Sequence, residues 1–364
     1  MARSKIRCIG ILTAGGDCPG LNAVIRAVVK SANFSGMDVV GIQDGFRGLV
    51  EKNMKVLAPE DVSNILTLGG TILGSSNKDN PFHMPVTVRG KARFRDCASE
   101  IPQSLRRLGI QALVILGGNG SMTVAHRLAR MGVKIVGVPK TIDNDLEGTD
   151  QTFGYDTAVS VASEAIDRLH TVAASHHRVM VVEVMGRNAG WLALGAGMAS
   201  GGDIILLPEL PYDEWKVAET IHDRRKRGKK SSIVVIAEGA HPKGGGVVLD
   251  RPNPRSKGRI RLGGVGRELA HHLETKSGIE TRSVVLGHIV RGGTPTAFDR
   301  KLATLFGVHA LELVKDGRFG RMVSLKNQAM DSVPLETAAG KTRIVPKDHE
   351  WVLAAKRIGV DFGV

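Results

Sequence analysis

Several residue types are scarce in this sequence, and each scarcity excludes a class of protein. Aromatic residues make up 4% of the chain, which is too few for the stacking surfaces that bind single-stranded nucleic acid. No apolar run approaches the roughly 20 residues that a membrane-spanning helix requires. The three cysteines, Cys8, Cys18 and Cys97, show neither Cys-x-x-Cys spacing nor a zinc pattern. We therefore expect a protein with no membrane span and no cysteine-bound metal.

Positive charge, in contrast, is in excess. The 50 Lys and Arg residues outnumber the 36 Asp and Glu residues, which gives a formal net charge of +14. A nucleic-acid-binding protein would gather these cations on one face, whereas an enzyme of phosphorylated metabolites would place them in clefts. The densest run, residues 224–230, ends a predicted helix, where cations interact favourably with the helix dipole. We interpret this run as a solvated helix end, and a nucleic-acid-binding or non-catalytic protein remains a remote alternative.

Predicted strands alternate with predicted helices along most of the 364 residues, which is the pattern of a parallel sheet covered on both faces. The length indicates two domains or lobes. Near-continuous Val, Ile and Leu runs predict buried strands at 6–12, 38–42, 112–116, 134–138, 178–184, 204–207, 232–237 and 283–286. We predict helices at 21–32, 121–131, 157–174, 191–199, 213–227, 266–276 and 296–316. Residues 241–258 are rich in Gly, Pro and Arg and predict a surface loop, while the tail beyond about 331 is weakly patterned.

The N-terminal residues combine a basic start with an apolar run at 6–12, as a signal peptide does. The run ends in the sequence TAGGD (13–17), which fits a strand that enters a glycine turn better than a cleavage site. We therefore expect a cytoplasmic protein.

Two glycine turns follow predicted strands, at 13–20 and at 116–121. Ligands of open α/β sheets bind beyond the carboxyl ends of strands, close to helix N-termini. Gly15 and Gly16 allow the backbone to approach a phosphate group and to direct N–H groups at it. The second turn, LGGNGS, matches neither the P-loop nor the dinucleotide fingerprint. Each turn alone also fits a tight connection without a ligand, but two such turns on one sheet favour a shared phosphate site.

A third strand end carries two carboxylates, in the sequence VPKTIDND (138–145). Asp143 is suited to accept a proton from a hydroxyl nucleophile, and Asp145 to orient neighbouring groups. Lys140 and Thr141 stand beside the pair. An Asx-rich turn that satisfies its own backbone is the structural alternative.

Four motifs in the same order and spacing resemble the phosphofructokinase family over roughly residues 6–320. They are PKTIDND (139–145), GGNGS (117–121), VEVMGR (182–187) and LGHIVRGG (286–293). The resemblance implies an α/β fold with two lobes, each a largely parallel sheet flanked by helices. A lobe formed by 1–154 and about 290–340 would bind the phosphoryl donor, and a lobe formed by 155–289 and the C-terminal tail would bind fructose 6-phosphate.

The resemblance also implies the reaction and its site. ATP with Mg²⁺ would phosphorylate the 1-hydroxyl of fructose 6-phosphate, a step of glycolysis, with Asp143 as the base and with Thr141 and Arg187 as further catalytic residues. The implied donor-binding residues are Gly16, Asn77, Lys78, Gly118, Asn119, Gly120, Ser121 and Lys140. The implied fructose 6-phosphate-binding residues are Thr141, Ile142, Asp143, Arg178, Met185, Gly186, Arg187, Glu238, Arg282, His288 and Arg291. Arg178 and Arg282 match arginines that the family donates across a subunit interface, which implies a homo-oligomer, a tetramer or a dimer, with a shared substrate site.

Three positions raise questions about the metal and the donor. Asn119 stands where the family usually has an acid that helps to hold magnesium, and an amide oxygen is a weaker ligand for a hard cation. Gly120 resembles the ATP-dependent type, because pyrophosphate-dependent members typically have an aspartate there. Lys140 resembles the pyrophosphate-dependent type. We give Gly120 more weight, because excluding ATP requires a repulsive group and glycine supplies none. The pyrophosphate-dependent enzyme remains the alternative.

Overall fold

The computed structural model describes residues 6–88, 91–249 and 262–364. The chain divides into two compact units. The first unit comprises Met1–Thr141, Leu146–Asp156 and Arg291–Thr342, and the second comprises Ile142–Asp145, Thr157–Val290 and Arg343–Val364. The chain therefore passes from the first unit to the second between Thr141 and Ile142, inside the predicted catalytic motif. The predicted surface loop at 241–258 lies outside the described residues from position 250 onward.

Most strands of the two larger sheets are parallel to their neighbours. In chain order, the strands within the described residues are β1 (Cys8–Thr13), β2 (Asp38–Ile42), β3 (Met54–Val56), β4 (Met84–Val88), β5 (Lys91–Arg95), β6 (Ala112–Gly117), β7 (Ile135–Pro139), β8 (Val179–Val184), β9 (Ile204–Leu206), β10 (Ser232–Ala237), β11 (Thr281–Val285), β12 (Arg321–Lys326) and β13 (Ala329–Pro334). β4 and β5 form a separate antiparallel pair. β6, β7, β8 and β10 are buried along their whole length, as strands covered on both faces must be.

Helices connect these strands. Those within the described residues are α1 (Leu21–Phe34), α2 (Phe46–Glu51), α3 (Ile101–Arg107), α4 (Asn119–Arg130), α5 (Tyr155–His176), α6 (Trp191–Ala199), α7 (Glu214–Lys226), α8 (Val265–Ser277), α9 (Ala297–Lys315), α10 (Leu335–Ala338) and α11 (Glu350–Arg357). None of these helices is both long and apolar enough to cross a lipid bilayer.

The first unit contains a sheet with the strand order β13-β12-β7-β6-β1-β2-β3. The central strands from β12 to β2 are parallel, and β13 and β3 add antiparallel edges. Leu12, Ile115 and Met122 belong to its hydrophobic core. Helices α1 and α9 pack closely because Gly307 has no side chain, and a Cβ at this position would lie 2.7 Å from the Cβ of Ala27.

The second unit contains a smaller sheet with the order β11-β8-β10-β9, in which every strand pair is parallel. Val181, Ile204 and Val234 on its strands pack with Leu269 and Leu273 of α8 in a hydrophobic core. The predicted fold class, largely parallel sheets flanked by helices, is confirmed.

The tail is more ordered than its weak pattern indicated. It contains β13, α10 and α11, and β12 pairs with β13 in an antiparallel hairpin. The two turn residues, Asn327 and Gln328, have φ values of 48° and 64°. A two-residue hairpin turn with positive φ at both positions normally has glycine at its second position. Because Gln328 stands there instead, no hairpin turn was predicted at this point.

A buried carboxylate fixes the start of α8 in the second unit. Glu183 on β8 is 2% exposed, and its carboxylate accepts hydrogen bonds from the N–H groups of Gly264 (3.0 Å) and Gly266 (2.8 Å). These groups lie at the N-terminus of α8, where the helix dipole also favours a negative charge. This side chain therefore helps to fix the N-terminus of α8 on the sheet, together with the apolar residues of the helix.

We expect Glu183→Ala to lower the free energy of unfolding by about 2–3 kcal/mol, because the N–H groups of Gly264 and Gly266 would lose a charged acceptor. Urea unfolding measures this loss. Glu164→Ala is the matched control, since Glu164 forms only an exposed ion pair with Arg168 on α5. A loss for Glu183→Ala as small as that of the control would show that the buried carboxylate contributes no net stability.

Candidate active site

The first glycine turn and the loop at 75–78 line a cleft in the first unit. The N–H group of Gly15 donates to the carbonyl of Ser76 (3.1 Å), and the Ser75 hydroxyl donates to the carbonyl of Gly15 (2.7 Å). These bonds hold the loop against the end of β1. The cleft has a volume of about 490 Å³ and is lined by Gly15, Gly16, Asp17, Gly70, Thr71, Ser75, Ser76, Asn77 and Lys78. The structure thus brings Gly16, Asn77 and Lys78 of the predicted donor set together.

The second glycine turn lies beside the first, because β1 and β6 are parallel neighbours. Ser121 Oγ lies 3.4 Å from the position that a Cβ on Gly15 would take. Gly117 has to be glycine, since its Cβ would lie 2.2 Å from the Cβ of Ser121. Gly118 precedes the first residue of α4, whereas a Cβ on Gly120 would meet no atom within 4 Å. The turn therefore directs the N-terminus of α4 to the sheet edge and leaves open space at Gly120.

Two cations converge on the first glycine turn. The Lys140 ammonium group, on a buried side chain, donates to the carbonyl of Gly16. The Arg291 guanidinium donates to the carbonyl of Asp17 (3.0 Å), and a Cβ on Gly16 would lie 2.7 Å from its Nη1. Arg291 was predicted to bind fructose 6-phosphate, but the structure places its side chain on the turn predicted to bind the donor.

The Asn119 amide is engaged with the tail segment of the first unit. Its Oδ1 accepts the N–H of Gly340 (3.0 Å), and its Nδ2 donates to the carbonyl of Lys341 (2.5 Å) and to the hydroxyl of Thr342 (3.3 Å). As a metal ligand, Asn119 would share its oxygen with the Gly340 N–H. Within 6–88, 91–249 and 262–364, no cluster of three or more His, Cys, Asp or Glu side chains has the arrangement of a metal site. The residues present fit a magnesium ion held largely by a donor's phosphates and by water, as Mg²⁺ commonly is.

The second half of the predicted catalytic motif, Ile142–Asp145, and two further loops occur together in the second unit. Arg187 follows β8 and Glu238 follows β10, and these strands are parallel neighbours whose carboxyl ends meet. The Arg187 N–H donates to Glu238 Oε1 (3.0 Å). Gly239 has to be glycine here, because its Cβ would lie 1.9 Å from the carbonyl oxygen of Arg187. Asp143 is buried and close enough to Glu238 to influence its titration.

Glu238 has an unusual pKa, which is raised from 4.5 to about 7. Burial is the main cause, because it disfavours the charged carboxylate, and the nearby charges of Asp143 and Glu183 act in the same direction. The hydrogen bond from the Arg187 N–H opposes this shift. Near neutral pH, Glu238 therefore occurs in both forms and is suited either to donate to a ligand hydroxyl or to accept from it.

The remaining predicted substrate residues lie at two opposite ends of the strands of the second sheet, which we call its carboxyl edge and its amino edge. Met185, Gly186, Arg187, Glu238 and His288 follow the carboxyl ends of its strands. Arg178 immediately precedes β8, and Arg282 is the second residue of β11, paired with Met180 near the start of β8. Because β8 has 6 residues, its two ends are about 20 Å apart. The structure does not bring these two arginines to the edge where Glu238 lies.

The Glu280 carboxylate forms ion pairs with both arginines at the amino ends of β8 and β11. Glu280 contacts Arg178 at 3.0 Å and Arg282 at 2.7 Å, and Arg282 also contacts Glu274 at 3.3 Å. The buried Arg178 Nε has no hydrogen-bond partner among the residues that the structure describes. An anion that displaced Glu280 would meet two guanidinium groups and an unused N–H donor, so this cluster is suited to bind a phosphate.

Two residues at the carboxyl edge were not predicted from the sequence. Arg343 contacts the turn that carries Asp143, and Trp191 contacts Arg343. No motif identified Arg343, because it lies in the weakly patterned tail, and Trp191 was predicted only as the first residue of a helix. Arg343 stands two positions before the buried Val345, and such a spacing does not identify a functional residue in a sequence.

Glu238→Gln tests the raised pKa. As pH rises from 4.5 towards 7, Glu238 loses its proton in the unfolded chain before it does so in the folded chain, which opposes folding. We therefore expect wild type to lose up to about 3 kcal/mol of stability relative to the variant between pH 4.5 and pH 8. Urea unfolding at both pH values measures this, with the exposed α7 substitution Glu219→Gln as control. If the free energies of unfolding of wild type and Glu238→Gln differed by the same amount at both pH values, the raised pKa of Glu238 would be contradicted.

Known proteins of similar sequence and structure identify the family of this chain. The family model described as Phosphofructokinase matches residues 8–314. ATP-dependent 6-phosphofructokinase 3 of Bacteroides thetaiotaomicron is 49% identical over 98% of this chain and 99% of its own length. The pyrophosphate–fructose 6-phosphate 1-phosphotransferase of Streptomyces coelicolor is also 49% identical, over 98% and 99%. The solved phosphofructokinase of Saccharomyces cerevisiae is 33% identical with a TM-score of 0.76, and the match covers 91% of this chain but only 45% of the yeast chain. The chain belongs to the phosphofructokinase family.

Proposed function

We propose that this protein is an ATP-dependent 6-phosphofructokinase, which transfers a phosphoryl group from ATP to the 1-hydroxyl of fructose 6-phosphate and forms fructose 1,6-bisphosphate. The observation that carries the proposal is the buried Asp143, held in one unit with Arg187 and Glu238 at the carboxyl edge of a parallel sheet. The relatives named ATP-dependent 6-phosphofructokinase support the same activity. We place this reaction in glycolysis and in the cytoplasm.

In this mechanism Asp143 accepts the proton of the 1-hydroxyl as the hydroxyl oxygen attacks the terminal phosphorus of ATP. The bond from that phosphorus to the bridging oxygen breaks, and ADP leaves with the electron pair. Glu238 binds a sugar hydroxyl, and its mixed protonation near pH 7 allows it to donate or accept. The Arg187 guanidinium stabilises the charge on the transferred group. Phosphoryl transfer requires alignment and positive charge more than covalent chemistry, so these three side chains account for the second unit's part in the step.

Donor binding belongs to the first unit. Backbone N–H groups of the two glycine turns and the N-terminus of α4 would bind the donor phosphates, with Lys140 and Lys78 as cations. Mg²⁺, when bound, neutralises charge on the donor phosphates. Asp17 would hold the ion through water, and Asn119 would contribute little because its amide is bonded to the tail segment.

The choice of ATP rests on Gly120. The space around this position is open, so nothing there opposes a nucleotide. Lys140 favours pyrophosphate as the second candidate, because its ammonium lies on the donor turn, and one relative is named as a pyrophosphate-dependent enzyme. Lys140 is compatible with either donor, whereas an aspartate at 120 would be required to repel ATP.

The position of Arg178 and Arg282 supports a homo-oligomer, a tetramer or a dimer. A single strand length, about 20 Å, separates them from the carboxyl edge of the second sheet. They therefore cannot bind the 6-phosphate of a sugar whose 1-hydroxyl lies at Asp143 in the same chain. The cluster with Glu280 is suited to receive this phosphate from a neighbouring subunit's site.

We expect Asp143→Asn to lower kcat for fructose 1,6-bisphosphate formation about 10²- to 10⁴-fold, because the general base is lost. The KM for fructose 6-phosphate should change only a few-fold, since the amide has nearly the same shape. Asp223→Asn, an exposed change on α7, should leave both constants unchanged. A kcat within threefold of wild type for Asp143→Asn would exclude Asp143 as the base.

Gly120→Asp tests the donor. A Cβ at this position would meet no atom within 4 Å, so we expect the effect of the aspartate to arise from its charge and polarity. With ATP and pyrophosphate assayed in parallel, wild type should use ATP, and Gly120→Asp should lose at least about tenfold in kcat/KM for ATP but not for pyrophosphate. Gly120→Asn, neutral and of equal size, should retain most ATP activity. Turnover of wild type with pyrophosphate alone would identify the alternative enzyme.

A further inference from the structure

Arg343 begins the C-terminal segment of the second unit and contacts the turn that follows Asp143. Its backbone N–H donates to the carbonyl of Asp145 (2.8 Å), and its Nη1 donates to the carbonyl of Asn144 (3.4 Å). One residue thus binds two successive carbonyl groups of the turn, one through its main chain and one through its side chain. These carbonyls belong to the two residues that follow the proposed base.

Trp191 at the start of α6 fixes Arg343 in turn. The guanidinium carbon lies 4.3 Å from the centroid of the indole ring, in a cation–π contact. The indole Nε1–H donates to the carbonyl of Arg343 (3.0 Å). Both the side chain and the main chain of Arg343 are therefore bound to the same rigid aromatic group.

A half-buried glutamate, Glu209, holds the same segment from a third direction. Glu209 Oε1 accepts the N–H of Val345 (2.8 Å) and the N–H of Gly190 (2.9 Å), which is the residue before Trp191. A Cβ on Gly190 would lie 2.7 Å from Glu209 Oε2, so a larger residue at this position would displace the carboxylate. The start of α6 and the segment 343–345 are thereby fixed to one another.

The turn itself needs such support. Asn144 has a φ of 51°, in the left-handed region that most residues with a side chain avoid. A backbone in this region persists only where its surroundings hold it, and such positions are concentrated at functional sites. Without the Arg343 side chain, the turn would lose the bond to the Asn144 carbonyl, and the main chain that donates to Asp145 would lose the cation–π contact that holds it to Trp191.

We infer that Arg343, held by Trp191, is a positioning residue for Asp143: it keeps the turn at 143–145 in the conformation that directs the carboxylate of Asp143 at its substrate. This role rests on the proposed function, because the role of Asp143 does. The tail thereby takes part in the reaction, although Arg343 itself need not touch either substrate.

Arg343→Ala, Arg343→Lys and the control Arg357→Ala test this role, since Arg357 is an exposed arginine of the same tail. We expect Arg343→Ala to lower kcat about 10- to 100-fold, because a small displacement of a catalytic group has effects of this size. The KM values for fructose 6-phosphate and ATP should stay within about threefold. Arg343→Lys should recover part of the loss, and Arg357→Ala should match wild type.

A double-mutant cycle separates positioning from a general structural effect. In the Asp143→Asn background, Arg343→Ala should lower kcat by less than about threefold, because a residue that acts through Asp143 has nothing left to position. Equal fold losses in both backgrounds would overturn the inference. If Arg343→Ala does not fold, Trp191→Phe enters the same cycle, since it keeps an aromatic ring but removes the Nε1–H donor.

Hydrogen exchange provides a readout that does not depend on activity. Peptides that cover residues 142–146 should exchange faster in Arg343→Ala than in wild type or Arg357→Ala, because the turn is less restrained. Unchanged exchange would refute the inference, whatever the kinetics. Wild-type protein that is inactive with both ATP and pyrophosphate, yet shows faster exchange in Arg343→Ala, would refute the proposed function while leaving the restraint on the turn intact.

Discussion

The parallel pairing of strands is the constraint on which the rest of this structure depends. Parallel neighbours end on the same side of a sheet, so the loops that follow them come together even when they are far apart in the sequence. In the first unit this brings the turn after β1 beside the turn after β6. In the second unit it brings Arg187 beside Glu238, although 51 residues separate them. In each unit, the grouping of these loops is thus a consequence of strand order.

A second constraint is the burial of like charges. Asp143, Glu183 and Glu238 are all buried in the second unit, and the charges of Asp143 and Glu183 disfavour ionisation of Glu238. Glu183 accepts two backbone N–H groups at the start of α8, whereas Glu238 accepts one, that of Arg187, among the bonds that the structure describes. With so little compensation for its burial, Glu238 has a pKa raised to about 7. Such strongly shifted groups are a recurrent feature of catalytic sites.

The strands and glycine turns could be predicted because their signals are local. An apolar run such as ALVIL at β6 is typical of a buried strand. Turns whose backbone requires glycine also show it in the sequence, as at Gly15 and Gly117. Contacts made by single long side chains could not be predicted in this way. The Asn119 amide faces Gly340 and Lys341, more than 200 residues away, and Arg291 lies on the donor turn. Where the side chains of Asn119 and Arg291 point does not follow from periodicity, spacing or family resemblance.

The two edges of the second sheet bear directly on assembly. A residue before β8 and a residue after it lie about 20 Å apart, and no rotamer of Arg178 spans this distance. If the arginines at the amino edge do bind the phosphate of the sugar, the phosphate must belong to a molecule held at another chain's carboxyl edge. Glu280 would then be exchanged for the phosphate as the counter-charge of two guanidinium groups. Substrate binding and subunit contact would be linked through the same ion pairs, so the oligomer would be a condition of the chemistry rather than an addition to it.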